Sequence, residues 1–312
     1  RQVREKELGR TMESELSDYL SCEIRLKGDR SKAWIGQPHM MKKLEKTFGE
    51  EVDRRQRYRT AGTPGLGLMK VPEGEERIDN DRQSRYRTGV GMLLFLIKHS
   101  RPDMANAVRE LSKCLDGANE AAYKEMLRVI KYAIDTRNRG LRIHTIIGKT
   151  LKWIILLFTD SDWSGDKNDR KSISGYMLFV NGVLVSWRSK KQPVVSLSSS
   201  EAEFYACAEA VKEIPFIIQV LLFLGVQVET PVEVFVDNVG AIFMSENASS
   251  SSRTRHMDTR WFYVNDLQSD KIVLIKFVRS EDNVADVATK NVSGETQDAH
   301  LERITAEKSY IE

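Results

Sequence analysis

Four carboxylates in the second half of the chain carry the clearest chemical signal: Asp160, Glu203, Asp237 and Asp286. Asp160 ends the apolar run Trp-Ile-Ile-Leu-Leu-Phe-Thr (153–159), and Asp237 ends Val-Glu-Val-Phe-Val (232–236). Glu203 lies in Ser-Ser-Ser-Glu-Ala-Glu (198–203), where a helical pattern starts, and Asp286 in Asn-Val-Ala-Asp (283–286), after a third strand-like run. Acids at strand ends and helix starts can converge on one point. Mg²⁺ prefers hard oxygen ligands, and two such ions can clamp the attacking and leaving oxygens of a phosphodiester. Any one of these acids alone would read as a helix cap at the surface. Glu201 competes with Glu203, because residues two apart on a helix face different ways and only one can ligate. Asp162, Asp166 and Asp169 read as turn or surface residues.

The elements that would position these acids form a mixed pattern. Strand-like runs at 153–159, 174–180 and 183–187 are followed by helical patterns at about 199–212 and 216–224, with Pro215 a break between them. Asn181-Gly182 between two of the runs is a strong hairpin signal. A strand at 232–236, a helix at about 239–246, a Ser-rich loop at 248–252, a helix at about 256–268, a strand at 272–278 and a helix from about 283 complete the order. Strands interleaved with helices in this way imply a mixed sheet covered by helices.

The first half reads differently. Residues 19–26 and 33–35 flank a polar turn and form a hairpin signal. Pro38 opens a short helix with Met41, Leu44 and Phe48 on one face, stopped at Gly49. A polar stretch punctuated by Gly62, Pro64, Gly65 and Gly67 leads to helices at about 84–99, 102–115 and 118–136. In the last of these Tyr123, Met126, Leu127, Ile130 and Ile134 are spaced for one buried face.

Composition narrows the class. The chain is 30% charged and 41% apolar, which suits a water-soluble core-forming protein, and no run approaches the ~18 apolar residues of a membrane span. Cys22, Cys114 and Cys207 are far apart, so a reduced, intracellular setting fits better than a disulfide framework or a zinc site. The first residue is not Met and no apolar signal core follows it, so an excised or processed piece is expected. Residues 1–151 hold 31 Lys and Arg against 22 Asp and Glu, a net of +9, whereas 152–312 hold 17 against 23, a net of −6. A basic half beside an acidic half suits a polyanion handled at a metal site, or a first half that is merely well solvated.

The second half resembles the ribonuclease H domain of copia-type retrotransposon polyproteins. The resemblance rests on Thr-Asp-Ser-Asp-Trp-Ser-Gly-Asp (159–166), Asp-Arg-Lys-Ser-Ile-Ser-Gly-Tyr (169–176), Val-Ser-Trp-Arg-Ser-Lys-Lys-Gln (185–192) and Ser-Leu-Ser-Ser-Ser-Glu-Ala-Glu-Phe (196–204). It continues through Val-Asp-Asn-Val-Gly-Ala-Ile (236–242), Arg-Thr-Arg-His-Met-Asp (253–258) and Asn-Val-Ala-Asp-Val-Ala-Thr-Lys (283–290). In the first half, Ile-Gly-Gln-Pro-His (35–39) with Lys-Leu-Glu-Lys-Thr-Phe-Gly (43–49) resembles the end of that family's reverse-transcriptase palm. Tyr-Arg-Thr-Gly-Val-Gly-Met-Leu-Leu-Phe-Leu (86–96) with Ser-Arg-Pro-Asp-Met-Ala (100–105) resembles its thumb and connection region. The family's polymerase needs an Asp-Asp pair on a palm hairpin, and no adjacent Asp-Asp occurs here.

The resemblance implies an α/β (α+β) fold: a ribonuclease H-like mixed five-stranded sheet with flanking helices, preceded by a small hairpin and a helical connection subdomain. It divides the chain into 1–63 (incomplete palm end), 64–151 (helical thumb or connection) and 152–312 (ribonuclease H-like). It implies an endonuclease that cuts the RNA strand of an RNA–DNA hybrid with two Mg²⁺ ions, Mn²⁺ being able to substitute. Asp160 would bridge the ions, Glu203 and Asp237 would hold the first, and Asp286 the second. Arg170, Lys171, Arg188, Lys190, Lys191, Ser200, Asn238, Arg253 and Arg255 are candidates for contact with phosphates or 2′-hydroxyls, or are ordinary loop charges and caps. Arg188, Lys190 and Lys191 are expected just beyond a strand, and Trp163 and Trp187 as packing residues. The loop 279–283 lacks the shuttle histidine of many relatives outside the copia group, and His256 is read as structural or phosphate-facing. Partners would be an RNA–DNA hybrid and the missing upstream palm and fingers, with no membrane and no small-molecule cofactor. The setting would be a cytoplasmic particle or the nucleus. The rival expectations are a catalytically silent nucleic-acid-binding remnant and another nuclease of the same fold.

Overall fold

The computed structural model describes residues 18–72, 74, 76–144, 152–246 and 255–312, with backbone alone for 18, 243, 246 and 255–258. Two five-stranded sheets organise these residues. The first pairs β1 (Asp18–Tyr19), β2 (Cys22–Leu26), β3 (Lys32–Gly36), β4 (Arg139–His144) and β10 (Thr305–Glu307), all antiparallel and in that order. The expected hairpin is β2–β3, and it is widened by strands that carry no local signal. β4 sits against β3, with Ile35 opposite Leu141, and β10 arrives from the far end of the chain to place Ala306 opposite Gly140.

A helical layer covers the first half. α1 (Pro38–Val52) runs through Gly49 rather than stopping there. A glycine inside a helix costs about 1 kcal/mol, whereas burying Val52 one turn beyond Phe48 returns about 1.5–3 kcal/mol. α2 (Asn80–His99) starts earlier than its apolar pattern, because the Asp79 side chain caps it by accepting from Arg82 N at 2.8 Å. A single 3₁₀ turn, Pro102–Met104, precedes α3 (Ala105–Ser112), and α4 (Glu120–Asp135) buries the expected face of Tyr123, Met126, Leu127, Ile130 and Ile134. Beneath it Arg101 and Asp103 form a buried two-pronged ion pair at 2.9 and 2.8 Å. Tyr132 donates to the same Asp103 at 3.0 Å and accepts from Gln297 Nε2 at 2.9 Å, which ties the C-terminal region to this layer.

The second sheet has the order β7–β6–β5–β8–β9, built from β5 (Ile155–Asp162), β6 (Ile173–Val180), β7 (Val183–Lys191), β8 (Val232–Val236) and β9 (Val273–Phe277). β5, β6 and β7 pair antiparallel, and β5–β8 and β8–β9 pair parallel, so the sheet is mixed as expected. Asn181 and Gly182 both take positive φ, the condition for the tight turn their sequence signals. α5 (Ser199–Ala210), α6 (Glu213–Phe223), α7 (Val239–Glu246) and α8 (Arg255–Ser269) flank the sheet. Phe204, Cys207, Val211 and Val264 pack there against Leu157, Leu178 and Val234. Pro215 lies inside α6, not at a break, because first-turn N–H groups have no acceptor within the helix. The opposite face is covered by α9 (Asp286–Thr289) and α10 (Gly294–Ile304). Val287, Ala288, Leu301 and Ile304 meet Met177, Phe179 and Leu184 there, together with Leu141 of the first sheet. The helix expected from about 283 is thus two helices preceded by a 3₁₀ turn at Ser280–Asp282. All three cysteines are buried, and no described helix is long and apolar enough to cross a membrane.

Candidate metal centre

Parallel pairing of β5 with β8 sets the first two acids. Phe158 lies opposite Phe235, so Asp160 and Asp237, two residues further along each strand path, emerge at the same edge of the sheet. β5 runs on to Asp162 rather than ending at 159, because Asp160, Ser161 and Asp162 still pair with Gly175, Ser174 and Ile173. The third acid comes from α5. Ser198 caps that helix by accepting from Glu201 N at 3.1 Å, and Glu201 reaches back to accept from Leu197 N at 2.7 Å. Glu201 is therefore part of the cap, and Glu203 turns toward the sheet, where Oε1 accepts from Ser161 N and Ser161 Oγ, both at 3.0 Å. One oxygen from each of Asp160, Glu203 and Asp237 lies within 4.8 Å of the others.

The electrostatics of this group call for a cation. Asp160 and Glu203 are buried, and Asp160 Oδ1 and Glu203 Oε2 have no hydrogen-bond partner among the described residues. Burial, above all, pushes the Asp160 carboxyl up to about 7, with Lys290 and Thr289 opposing the rise and the charges of Asp286 and Asp237 adding to it. Burial followed by the charges of Asp160 and Asp237 pushes Glu203 up to about 9, against the two hydrogen bonds from Ser161. Ligand oxygens around an octahedral Mg²⁺ stand roughly 2.9–4.2 Å apart, given bonds of about 2.1 Å. An all-carboxylate donor set with two unpaired buried oxygens, spread over no more than 4.8 Å, fits such an ion with small side-chain adjustments.

Asp286 stands apart from that trio. It heads α9, and Lys290 Nζ lies 2.9 Å from its Oδ1 and 3.6 Å from Asp160 Oδ2. Thr289 Oγ1 donates to that same oxygen of Asp160. α9 comes this close because Gly175, directly opposite Asp160 on β6, has no side chain. A Cβ there would stand 2.6 Å from Thr289 Cγ2 and 2.9 Å from Ala288 Cβ. Asn283 Nδ2 pins the preceding loop by donating to the buried Thr159 carbonyl at 2.9 Å. Gly175, Asn283, Thr289 and Lys290 were assigned no role from sequence. The last two lie three and four residues after Asp286, one helical turn on, which is the spacing that could have flagged them.

No family profile matches the chain. Over 261 residues, 84% of its length, it is 28% identical to the retrovirus-related Pol polyprotein from transposon TNT 1-94 of Nicotiana tabacum. Over 210 residues, 67% of its length, it is 32% identical to the one from transposon RE1 of Arabidopsis thaliana. The chain belongs to the retrovirus-related Pol polyproteins of transposons. It spans 19% and 14% of the length of those two relatives, and a copia-type origin is consistent with both. Among solved structures, LC11-RNase H1 in complex with an RNA/DNA hybrid shares 15% identity at a TM-score of 0.33, over 47% of this chain and 99% of that one. Nothing about activity follows at that level of likeness. The mixed five-stranded sheet with its flanking helices is the α/β architecture expected for this half of the chain.

The remaining sequence candidates are dispersed around the carboxylate group. Arg170, with a positive φ, lines a cleft of about 610 Å³ together with Asp286, Lys290 and Arg109 of α3. Arg188, Lys190 and Lys191 lie within β7 and not beyond it, since β7 keeps pairing as far as Ile173 opposite Lys191. β7 is an edge strand, where charged side chains are the usual protection. Lys171 faces Asp169 at 3.8 Å, and Lys191 pairs with Asp169 at 3.0 Å and Asp166 at 3.3 Å. Ser200 Oγ donates to Asn238 Oδ1 at 3.0 Å, and the same oxygen caps α7 by accepting from Ala241 N. Arg253 lies outside the described residues, as do the side chains of Arg255 and His256. Trp187 Nε1 donates to the Ile97 carbonyl at 2.7 Å, a contact between the two halves. Asp166 is a turn residue but not a surface one. It is fully buried between Lys113, the residue that follows α3, at 3.2 Å, and Lys191. Burial opposes its charge, yet the Asn168 hydrogen bonds and Lys113 bring its carboxyl down to about 2.

Proposed function

We propose that the chain is a divalent-metal-dependent endonuclease that cleaves the RNA strand of RNA–DNA hybrids during reverse transcription of a transposon. The observation that carries this reading is the pair of buried, unpartnered oxygens, Asp160 Oδ1 and Glu203 Oε2, within the group completed by Asp237. Asp160, Glu203 and Asp237 would hold the ion, which when bound supplies Lewis acidity and an activated water for phosphodiester hydrolysis. Asp286 would complete the site from α9. The chain's own residues fix the geometry: Ser161 orients Glu203, Ser280 Oγ donates to Asp237 Oδ2 at 2.8 Å, and Thr289 holds Asp160. Discrimination of RNA would rest on its 2′-hydroxyls in a shallow groove. With no adjacent Asp-Asp pair in the sequence, no primer extension is expected.

The test is incubation of the purified chain with an end-labelled RNA–DNA hybrid, in Mg²⁺ and in chelator. Cleavage of only the RNA strand, dependent on the ion and absent for duplex DNA, is the expected result. Intact hybrid under every metal condition, from protein that binds the hybrid, would leave a silent nucleic-acid-binding remnant as the answer.

A further inference from the structure

Lys290 ends the motif Asn-Val-Ala-Asp-Val-Ala-Thr-Lys, and the reading above gives it no task. Its ammonium sits where Asp286 and Asp160 face each other, 2.9 Å from Asp286 Oδ1 and 3.6 Å from Asp160 Oδ2. That is the place the motif resemblance reserves for a second metal ion. The position is built into the fold. Lys290 follows Asp286 by one helical turn, and α9 is seated against β5 and β6 by the Thr289–Asp160 hydrogen bond and by the bare backbone at Gly175. The two oxygens of Asp160 are consequently unlike. Oδ2 is engaged by Thr289 and Lys290, and Oδ1 is buried without a partner.

We propose that the Lys290 ammonium is the resident second cation of this site. In the free chain a divalent ion is taken at Asp160, Glu203 and Asp237, and Lys290 holds the place between Asp160 and Asp286. A further ion there must displace an ammonium anchored to the same two carboxylates, so like-charge repulsion weakens its binding. The inference rests on the metal-dependent reading of the carboxylates, but not on what the site cleaves.

The experiment is Mn²⁺ binding to the full chain, without nucleic acid, by calorimetry and by electron paramagnetic resonance. Wild type, Lys290→Met, Lys290→Gln and Lys290→Arg are compared, with circular dichroism to establish folding. The expected result is one tightly bound Mn²⁺ per wild-type chain. Removing the charge in Lys290→Met or Lys290→Gln should tighten a second ion at least tenfold, and Lys290→Arg should keep the wild-type pattern. Adding Asp286→Asn to Lys290→Met should abolish the second ion. Two ions of equal affinity in wild type, or no second ion in either neutral variant, would overturn the assignment. Hybrid cleavage is scored separately. One-ion binding without cleavage defeats the nuclease reading alone, and cleavage with two equal ions defeats the Lys290 assignment alone.

Discussion

Replacing Asp160 with Asn should remove function while strengthening the metal-free fold. The side chain is 1% exposed, and its carboxyl is pushed up to about 7 from an ordinary 3.8. The unfolded chain therefore gives up this proton more readily than the folded one. The penalty is absent below about pH 4, grows as pH rises, and is complete above pH 7. Raising a buried acid this far costs the folded chain on the order of a few kcal/mol once it is charged. Asn carries no charge, keeps an oxygen for Thr289, and offers an N–H toward the unpaired Glu203 Oε2. The 3.6 Å ion pair with Lys290 that it loses is already contained in that net rise. Urea unfolding in chelator should show Asp160→Asn more stable than wild type by about 2–4 kcal/mol at pH 8, with the gap narrowing to roughly 1 kcal/mol at pH 5. Mg²⁺ at a hundred times its Kd should add about 2.7 kcal/mol to wild type and nothing to the variant, which should also leave hybrid intact. A variant that is less stable at pH 8, or a gap that ignores pH, would refute the account of a desolvated, mutually repelling acid cluster. Wild-type cleavage by the variant would remove Asp160 from the site.

Two further perturbations probe how the site is supported. Gly175→Ala puts a methyl group within 2.6 Å of Thr289 Cγ2, so α9 must move; cleavage should fall at least tenfold and urea stability by about 1–3 kcal/mol, and an unchanged variant would show that α9 needs no such seat. Asp166→Asn removes a charge held down at about 2 between Lys113 and Lys191, and should destabilise by about 2 kcal/mol at pH 7. Because the wild-type charge stabilises above the ordinary carboxylate range and is lost as pH falls toward 2, the difference should shrink on acidification, and a constant difference would argue that packing alone matters.

Much of the site was legible because the signals are local. An apolar run that ends in an acid marked the exit of β8 and another placed Asp160 on β5, the Asn181-Gly182 pair marked the β6–β7 turn, and Ser198 with Glu201 marked the start of α5. Where the reading failed, a distant partner overrode a local rule. Gly49 does not stop α1 because Val52 has a core to enter, and β7 reaches Lys191 because β6 is there to pair with it. The sequence by itself determined the element types and the acids at their ends, since periodicity, caps and turns depend on neighbours along the chain. Only the tertiary structure decided that β10 closes the first sheet on β4, that Asp166 is buried against Lys113, and that Lys290 stands between Asp160 and Asp286. Those pairings join residues whose separation along the chain says nothing of their separation in space, and the burial and charge that make them matter arise only once the chain has folded.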